Sequence, residues 1–142
     1  MSGGIDQAVS DLADEFALLP DWEERISHVI ELAASLEPLS EAEHNEGTRV
    51  RGCVSRVWLV SEKRPDSPGK LYFRGDSDAH LVRGEIAMLL RIFSGRTPQE
   101  ILSIDPREVF EKLDLKDALT MQRSNGLFAM MNRIQAEARA AL

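Results

Sequence analysis

The chain has 142 residues, with 24 acidic and 17 basic side chains, a net charge of -7 and a pI near 5.0. A chain of this length fits one domain and buries about 68–70% of the surface that its unfolded form exposes, so one core suffices without disulfides or structural metal. The acidic balance argues against nucleic-acid binding. No stretch approaches the ~20 apolar residues that span a bilayer, and residues 1–6 lack the features of a signal peptide, which predicts a cytoplasmic protein.

Two amphipathic helices are predicted at the start of the chain. Apolar residues recur every three or four positions over residues 5–19, and Pro20 ends this helix. Asp21, with Glu24 three residues later, is the predicted N-cap of a second helix, which closes before Pro38. The residues predicted to face the core are Ile5, Val9, Leu12, Phe16 and Leu19 in the first helix and Trp22, Ile26, Val29, Ile30, Ala33 and Leu36 in the second.

A β-hairpin is predicted in the middle of the chain. β-branched and aromatic residues concentrate between residues 48 and 74, with Val54 and 57–60 in one run and 71–73 in another. The connector 61–70 is rich in charge and turn formers. The two runs are therefore expected to pair as antiparallel strands joined by a long, solvated loop.

Helical patterns return in the last part of the chain. One helix is predicted to begin near Asp78 and to end at Gly95, which suits a left-handed cap. Segments 97–100 and 105–108 each combine an N-cap with a proline at the first helical position and a glutamate at the third, which indicates two short helices. A final helix is predicted from about Ser124 to the end. The order of helices, a small antiparallel sheet and then helices indicates a single α+β domain rather than a parallel βαβ fold.

Cys53, the single cysteine, is the main candidate for chemistry. One cysteine excludes an intramolecular disulfide, a multi-cysteine zinc site and a conventional cysteine-ligated iron–sulfur cluster within one chain. It follows Gly52 at a predicted turn, where glycine lets another molecule approach the thiol. Arg49, Arg51 and Arg56 lie within four residues, and a guanidinium aimed at the sulfur would favour the thiolate. The alternative is a buried, inert cysteine that acts as a small hydrophobe, and the sequence leaves the two nearly even.

The histidines and the acidic residues before the hairpin are given structural roles. His28, His44 and His80 have no spacing that predicts a catalytic dyad with Cys53. The acidic segment 41–46 lacks the helical register of a metal site, so we interpret it as a solvated loop.

N-caps are predicted for two helices in the second half of the chain. Asp78 or Ser77 is expected to cap the helix that follows the hairpin. Ser124 or Asn125 is expected to cap the last helix, with Arg123 projecting ahead of it.

Sequence landmarks of one family occur in order along the chain. They are WEER at 22–25 with IEL at 30–32, VRGCVSRVWL at 50–59, GDSDA at 75–79 with VRG at 82–84, TPQEI at 97–101, and RSNGL at 123–127 with AM at 129–130. Together they resemble the SufE family of sulfur-acceptor proteins. The resemblance covers residues 22–140, and the first helix, within residues 1–20, is less well covered.

The resemblance implies both a fold and a chemistry. The fold would be similar to that of an iron–sulfur cluster scaffold protein. The Cys53 thiolate would attack the persulfide of a pyridoxal-phosphate-dependent cysteine desulfurase, hold the sulfur as a persulfide and pass it to an iron–sulfur cluster scaffold complex. The chain itself would be an acceptor and activator rather than an enzyme, with no cofactor or metal of its own, and a monomer or weak homodimer. A single thiol fits this role because no second thiol can discharge the persulfide as a disulfide.

The resemblance also assigns supporting residues and marks two departures. Asp78 and Arg123 match family positions near the cysteine, and with Arg51, Gly52 and Ser55 beside it they are the predicted supporting residues. Val54 and Arg56 stand where the family commonly has glutamine, which bears on local hydrogen bonding and on the choice of partner.

Other classes of function stay open on sequence alone. A cysteine-dependent hydrolase or peroxidase would need a base within reach of Cys53. A cluster scaffold of the similar fold would use three cysteines where this chain has one. An interaction domain with an inert cysteine is the remaining alternative.

Overall fold

The computed structural model describes residues 3–115 and 121–142. In this part of the chain the helices are α1 (Gly3–Ala17), α2 (Trp22–Leu32), α3 (His80–Phe93), α4 (Pro98–Leu102), α5 (Pro106–Leu113) and α6 (Met121–Ala140), and the strands are β1 (Val57–Lys63) and β2 (Leu71–Ser77). Short 3₁₀ turns lie at Ala33–Ser35 and Glu41–Glu43. The predicted α+β order is confirmed.

Side-chain caps begin several helices where the sequence predicts them. The Asp21 carboxylate accepts a hydrogen bond from the Glu24 amide at the start of α2. Thr97 and Glu100 form a reciprocal capping box at α4, with Pro98 at its first turn. These caps satisfy amide groups that have no partner inside the helix, which is why they mark helix starts so well.

The helix α6 begins earlier than predicted. It starts at Met121, so Ser124 and Asn125 lie inside the helix and the prediction that one of them caps it was wrong. Apolar spacing predicts the buried face of a helix but not where the helix begins. The first turn of α6 carries no core residue, so the spacing gave no signal there. None of the helices in the described ranges is long and apolar enough to cross a membrane.

The predicted antiparallel hairpin is confirmed, with a shorter loop than expected. Val57 pairs with Ser77 and Lys63 pairs with Leu71, which leaves residues 64–70 as the connection. Val54 lies outside the ladder and is 80% exposed, so its assignment to the first strand was wrong. The reason is that the chain turns at Gly52, and pairing with β2 starts only at Val57.

One apolar cluster joins both ends of the described chain. Ile5, Val9, Leu12 and Phe16 of α1 are each at most 1% exposed. Helix α3 lies at the centre of this cluster and contacts α1, α2, α6 and β2. Both the first and the last helix therefore belong to the same core.

Helix α2 buries a narrower face than its sequence pattern predicts. Val29 is buried, whereas Trp22 and Ile30 are 57% and 39% exposed, so the prediction that these two face the core was wrong. Gly84 of α3 lies against the backbone of Val29. Because this contact brings the two helices very close, only a thin strip of α2 is covered.

Candidate functional site

Cys53 lies on a loop (residues 51–56, the cysteine loop) that is closed at its base by backbone hydrogen bonds. The Val50 amide donates to the Val57 carbonyl at 2.8 Å, and the Leu59 amide donates to the Thr48 carbonyl at 2.8 Å. Gly52 has a φ of +91°, a conformation that residues with a Cβ rarely adopt, so the predicted turn before the cysteine is confirmed. The loop therefore holds the thiol at a set position next to β1.

Side chains from two distant elements bind the ends of the cysteine loop. Asp78 accepts a hydrogen bond from the Arg56 amide at 3.0 Å, and the Ser77 hydroxyl donates to the Arg56 carbonyl at 2.6 Å. On the other side, the Arg133 guanidinium of α6 donates to the Arg49 carbonyl at 3.0 Å. The loop is thus anchored both before and after Cys53.

Asp78 is a loop anchor and not the predicted helix cap. The N-cap of α3 is Ala79, which makes no side-chain cap hydrogen bond. The carboxylate of Asp78 instead binds the backbone of Arg56. The cap prediction was wrong because an Asp before a helix can satisfy any nearby amide, and here the cysteine loop supplies one.

The thiol itself is half-buried against the first turns of α6. Its Sγ lies 3.6 Å from the Gly126 carbonyl oxygen, a distance that suits a weak S–H donor. A Cβ added at Gly52 would lie 3.2 Å from the Ala129 Cβ, so the loop backbone is also close to α6. Gly126 and Ala129 belong to the landmarks at 123–130, which the fold brings onto the cysteine loop.

A pocket of about 90 Å³ lies beside the thiol. It opens between the cysteine loop, α3 and the start of α6. Its lining residues are Cys53, Val54, Ser55, Val82, Glu85, Gln122, Arg123, Gly126 and Met130. Ser55 and Arg123, both predicted as supporting residues, therefore lie at the same pocket as the sulfur.

Burial sets the protonation state of Cys53. Burial raises the pKa of the Cys53 thiol, the charge of Glu85 raises it further, and Arg49 acts in the opposite direction. Of the three arginines near Cys53 in sequence, Arg49 alone lowers the pKa of the thiol. Burial and Glu85 together outweigh this effect. Arg51, also predicted as a supporting residue, forms an exposed ion pair with Glu46. The free protein holds Cys53 as a thiol at neutral pH.

Glu85 of α3 also lines the pocket, although the sequence analysis did not predict it as a site residue. Its side chain is 1% exposed, and neither carboxyl oxygen has a hydrogen-bond partner among the described residues. Burial raises the pKa of Glu85 to about 7, against a lowering by Arg123. The available signal is its place in α3, where Val82, Ile86 and Leu89 form a buried stripe that a glutamate interrupts.

The histidines lie away from the pocket lining. His28 bonds to Glu15 at 2.9 Å, and His44 bonds to Asp76 at 2.9 Å and packs edge-on against Trp58. These structural roles agree with the sequence analysis, which found no histidine spaced to form a catalytic dyad with Cys53. A histidine base for a Cys53-dependent hydrolase is therefore not part of this pocket.

The acidic segment before the hairpin is engaged in ion pairs. Glu43 binds Arg74 and completes a capping box with Ser40, while Glu46 binds Arg51. Within residues 3–115 and 121–142, no group of three or more histidine, cysteine, aspartate or glutamate side chains could hold a metal ion.

The fold and the loop together define a class: a small α+β domain that presents one half-buried thiol on an anchored loop beside a pocket. The chain belongs to the SufE family, whose sequence model, described as an Fe-S metabolism associated domain, matches residues 10–138. This description places the chain in iron–sulfur metabolism.

Curated relatives agree with this assignment, and a solved structure shows the same fold. An uncharacterized SufE-like protein of Rhizobium meliloti (strain 1021) is 42% identical over 136 residues, which cover 95% of this chain and 97% of that protein. A second uncharacterized SufE-like protein, from Rhizobium etli, is 42% identical over 133 residues, or 93% of this chain and 90% of that one. The solution structure of a hypothetical protein from Thermus thermophilus has the same fold, with a TM-score of 0.75 and 24% identity over 97% of this chain and 95% of that chain.

Proposed function

We propose that this protein is a sulfur acceptor that takes persulfide sulfur from a cysteine desulfurase onto Cys53 and delivers it to an iron–sulfur cluster scaffold complex. By clearing the donor's persulfide it activates the desulfurase, and the pyridoxal phosphate of the reaction belongs to that partner. The observation that carries the proposal is the position of Cys53, a single thiol on an anchored loop with a pocket beside it.

The transfer step needs only thiol chemistry. The Cys53 thiolate attacks the outer sulfur of the donor's persulfide, a new S–S bond forms at Cys53, and the S–S bond of the donor breaks. The electron pair of the broken bond stays on the donor's inner sulfur, which takes up a proton. The reactants and the products therefore each contain one persulfide and one thiol, so the step needs no oxidant.

The burial of the thiol supports a carrier that reacts only in a complex. A half-buried, protonated thiol is a poor nucleophile and is also a poor target for oxidation. Val54, next to the cysteine and 80% exposed, offers an apolar contact to a docking partner. We propose that docking opens the pocket and exposes the sulfur to the donor.

Intact-mass spectrometry tests the proposal. The protein is incubated with a cysteine desulfurase and L-cysteine, and the expected result is a gain in mass of one or more sulfur atoms that a reductant removes. Cys53→Ser should show no gain and should lose the stimulation of the desulfurase, because serine cannot hold sulfane sulfur.

The control is Ser67→Ala, in the hairpin connection, which should accept sulfur like the unmodified protein. Stimulation that persists in full in Cys53→Ser would refute the carrier role. So would the absence of any gain in mass with several desulfurases that are each shown to be active.

A further inference from the structure

We infer that Glu85 controls the charge of Cys53, and that the carboxyl and the thiol hold one negative charge between them during sulfur transfer. The step that this pair serves rests on the proposed function. The pairing itself concerns the isolated protein and can be tested there.

The geometry brings the two groups to one pocket from distant parts of the chain. Cys53 reaches it from the cysteine loop and Glu85 from the middle of α3. Glu85 is almost fully buried, and its two oxygens have no hydrogen-bond partner in the described ranges. Buried carboxyl groups without partners are rare in folded proteins because each one costs free energy, so such a group beside a reactive thiol calls for a role.

Within residues 3–115 and 121–142, few charged groups act on this pair. Arg123 of α6 acts on Glu85, and Arg49 acts on Cys53. Charged residues of the other elements that pack on α3 form ion pairs with partners outside the pocket. In β2, Asp76 pairs with Arg83 and His44, and in α1 and α2, Glu15 and His28 bind each other, with Glu15 also bound to Arg91. Among the described residues, Glu85 is therefore the negative charge that acts on the thiol.

Two negative charges at one buried site exclude each other. Glu85 raises the pKa of Cys53, and burial raises the pKa of both groups. When the carboxyl is ionised, loss of the thiol proton would place a second anion in the pocket. When the carboxyl is protonated, the thiolate is the only anion there. The thiolate therefore forms most easily with Glu85 protonated, and the two groups titrate as a pair.

This pairing gives the thiol proton a place to go in the transfer step. At rest the thiol faces the Gly126 carbonyl and the Glu85 oxygens have no hydrogen-bond partner in the described ranges, so the two groups come into contact only when the donor docks. As Sγ then attacks the outer sulfur of the donor's persulfide, the thiol proton passes to the Glu85 carboxylate. The donor's S–S bond breaks and its inner sulfur leaves with the electron pair. The proton on Glu85 is then available to that leaving sulfur or to water, so the carboxylate is regenerated.

The pH dependence of Cys53 alkylation in the isolated protein tests the inference. Iodoacetamide is the probe, and the rate is followed by intact mass from pH 6 to pH 9.5. The unmodified protein should show a rate that rises less steeply above about pH 7, where Glu85 ionises. Glu85→Gln keeps the shape of the side chain without the charge, so its rate should keep rising and should be about 3- to 10-fold higher near pH 8.5.

The control is Glu111→Gln, which removes the same charge from an exposed position on α5 and should leave the profile unchanged. Circular dichroism checks that each variant is folded, and Glu85→Leu replaces the glutamine variant if that one does not fold. A Glu85 variant whose profile overlays that of the unmodified protein would overturn the inference.

The two proposals fail in different ways. If the unmodified protein gains no sulfur from any active desulfurase, the proposed function fails while the alkylation profile still reports on the pair. If sulfur is gained but the Glu85 variants alkylate like the unmodified protein, only the role of Glu85 fails.

Discussion

Cys53 combines two properties that pull against each other at the scale of a single residue. The proposed transfer of sulfur needs a thiolate, whereas burial and the Glu85 carboxyl raise the pKa of the thiol. The Sγ proton has a weak acceptor in the Gly126 carbonyl, which holds the thiol in place at rest. A reactive group that is held neutral until it is needed is protected from oxidation, and its activation depends on what changes around it.

Glu85 should make the stability of the whole protein depend on pH. Its pKa rises from 4.5 to about 7 on folding, so between these values the unfolded chain has released a proton that the folded protein keeps. Stability is therefore lost as the pH rises through this window, by about 3 kcal/mol at most, since each pKa unit corresponds to about 1.36 kcal/mol. Glu85→Leu removes this loss, so its free energy of unfolding at pH 8 should be higher than that of the unmodified protein.

Urea unfolding at pH 5 and pH 8 measures this difference. The gain of Glu85→Leu over the unmodified protein should be larger at pH 8 than at pH 5. Glu111→Gln, which changes an exposed carboxylate, should show no such dependence. Equal effects of Glu85→Leu at the two pH values would mean that the carboxyl has an ordinary pKa in the folded protein.

At the scale of elements, the approach of α2 to α3 depends on one glycine. A Cβ added at Gly84 would lie 2.0 Å from the Val29 carbonyl oxygen, a distance that backbone atoms cannot tolerate. The helices would have to separate, and α3 also carries Glu85 and packs on the sheet. The glycine therefore sets the position of the helix that lines the thiol pocket.

Gly84→Ala should destabilise the protein even though alanine favours helix. The helical preference of alanine contributes about 1 kcal/mol, while overpacking of a close contact costs about 1–3 kcal/mol or more. Because the clash is with backbone, the cost lies at the upper end of this range, and we expect a net loss of about 2 kcal/mol or more in the free energy of unfolding, measured by urea titration. The control is Ser27→Ala, at an exposed position of α2, where alanine gains helical preference without a clash and should not destabilise the protein. A Gly84→Ala variant as stable as the unmodified protein would contradict the close packing.

The cysteine loop is held at both of its ends by elements that are far away in sequence. Asp78, at the start of the α3 region, binds the amide of Arg56, and Arg133 of α6 binds the carbonyl of Arg49. The base of the loop is therefore fixed by contacts that do not involve Cys53. This arrangement is compatible with the proposed exposure of the thiol to a partner.

At the scale of the whole molecule, the first helix belongs to the core of the domain. The family model begins at residue 10, within α1, whereas Ile5 and Val9 are already buried. Phe16 packs edge-on against His28 of α2, and α1 also contacts α3 and α5. The helix thus ties α2, α3 and α5 together.

Phe16→Ala should destabilise the whole domain. Removal of a fully buried phenylalanine side chain costs about 3–5 kcal/mol because the cavity it leaves is only partly filled. Thermal unfolding should shift to a lower temperature in a single transition, since α1 shares its core with the rest of the described chain. Leu18→Ala, at an exposed position after α1, is the control and should change little. Loss of α1 alone, with the rest of the domain as stable as before, would show that this helix is a separate unit.

The sequence by itself determined the elements and singled out Cys53 as the candidate for chemistry. Caps at Asp21 and Thr97 and the turn at Gly52 are set by atoms a few residues apart, so they can be predicted without the fold. The same holds for the buried stripes of α1 and α6, which follow from helical spacing. The landmarks around Cys53 also carried the family assignment.

Only the tertiary structure decided the environment of the thiol. Glu85 lies beyond the whole hairpin from Cys53 in the chain and meets it because α3 packs against the cysteine loop and α6. For the same reason Asp78 binds the loop instead of capping α3. Burial and charge depend on which distant groups share a pocket, so the pKa of Cys53 follows from packing, whereas its place at a turn follows from its immediate neighbours.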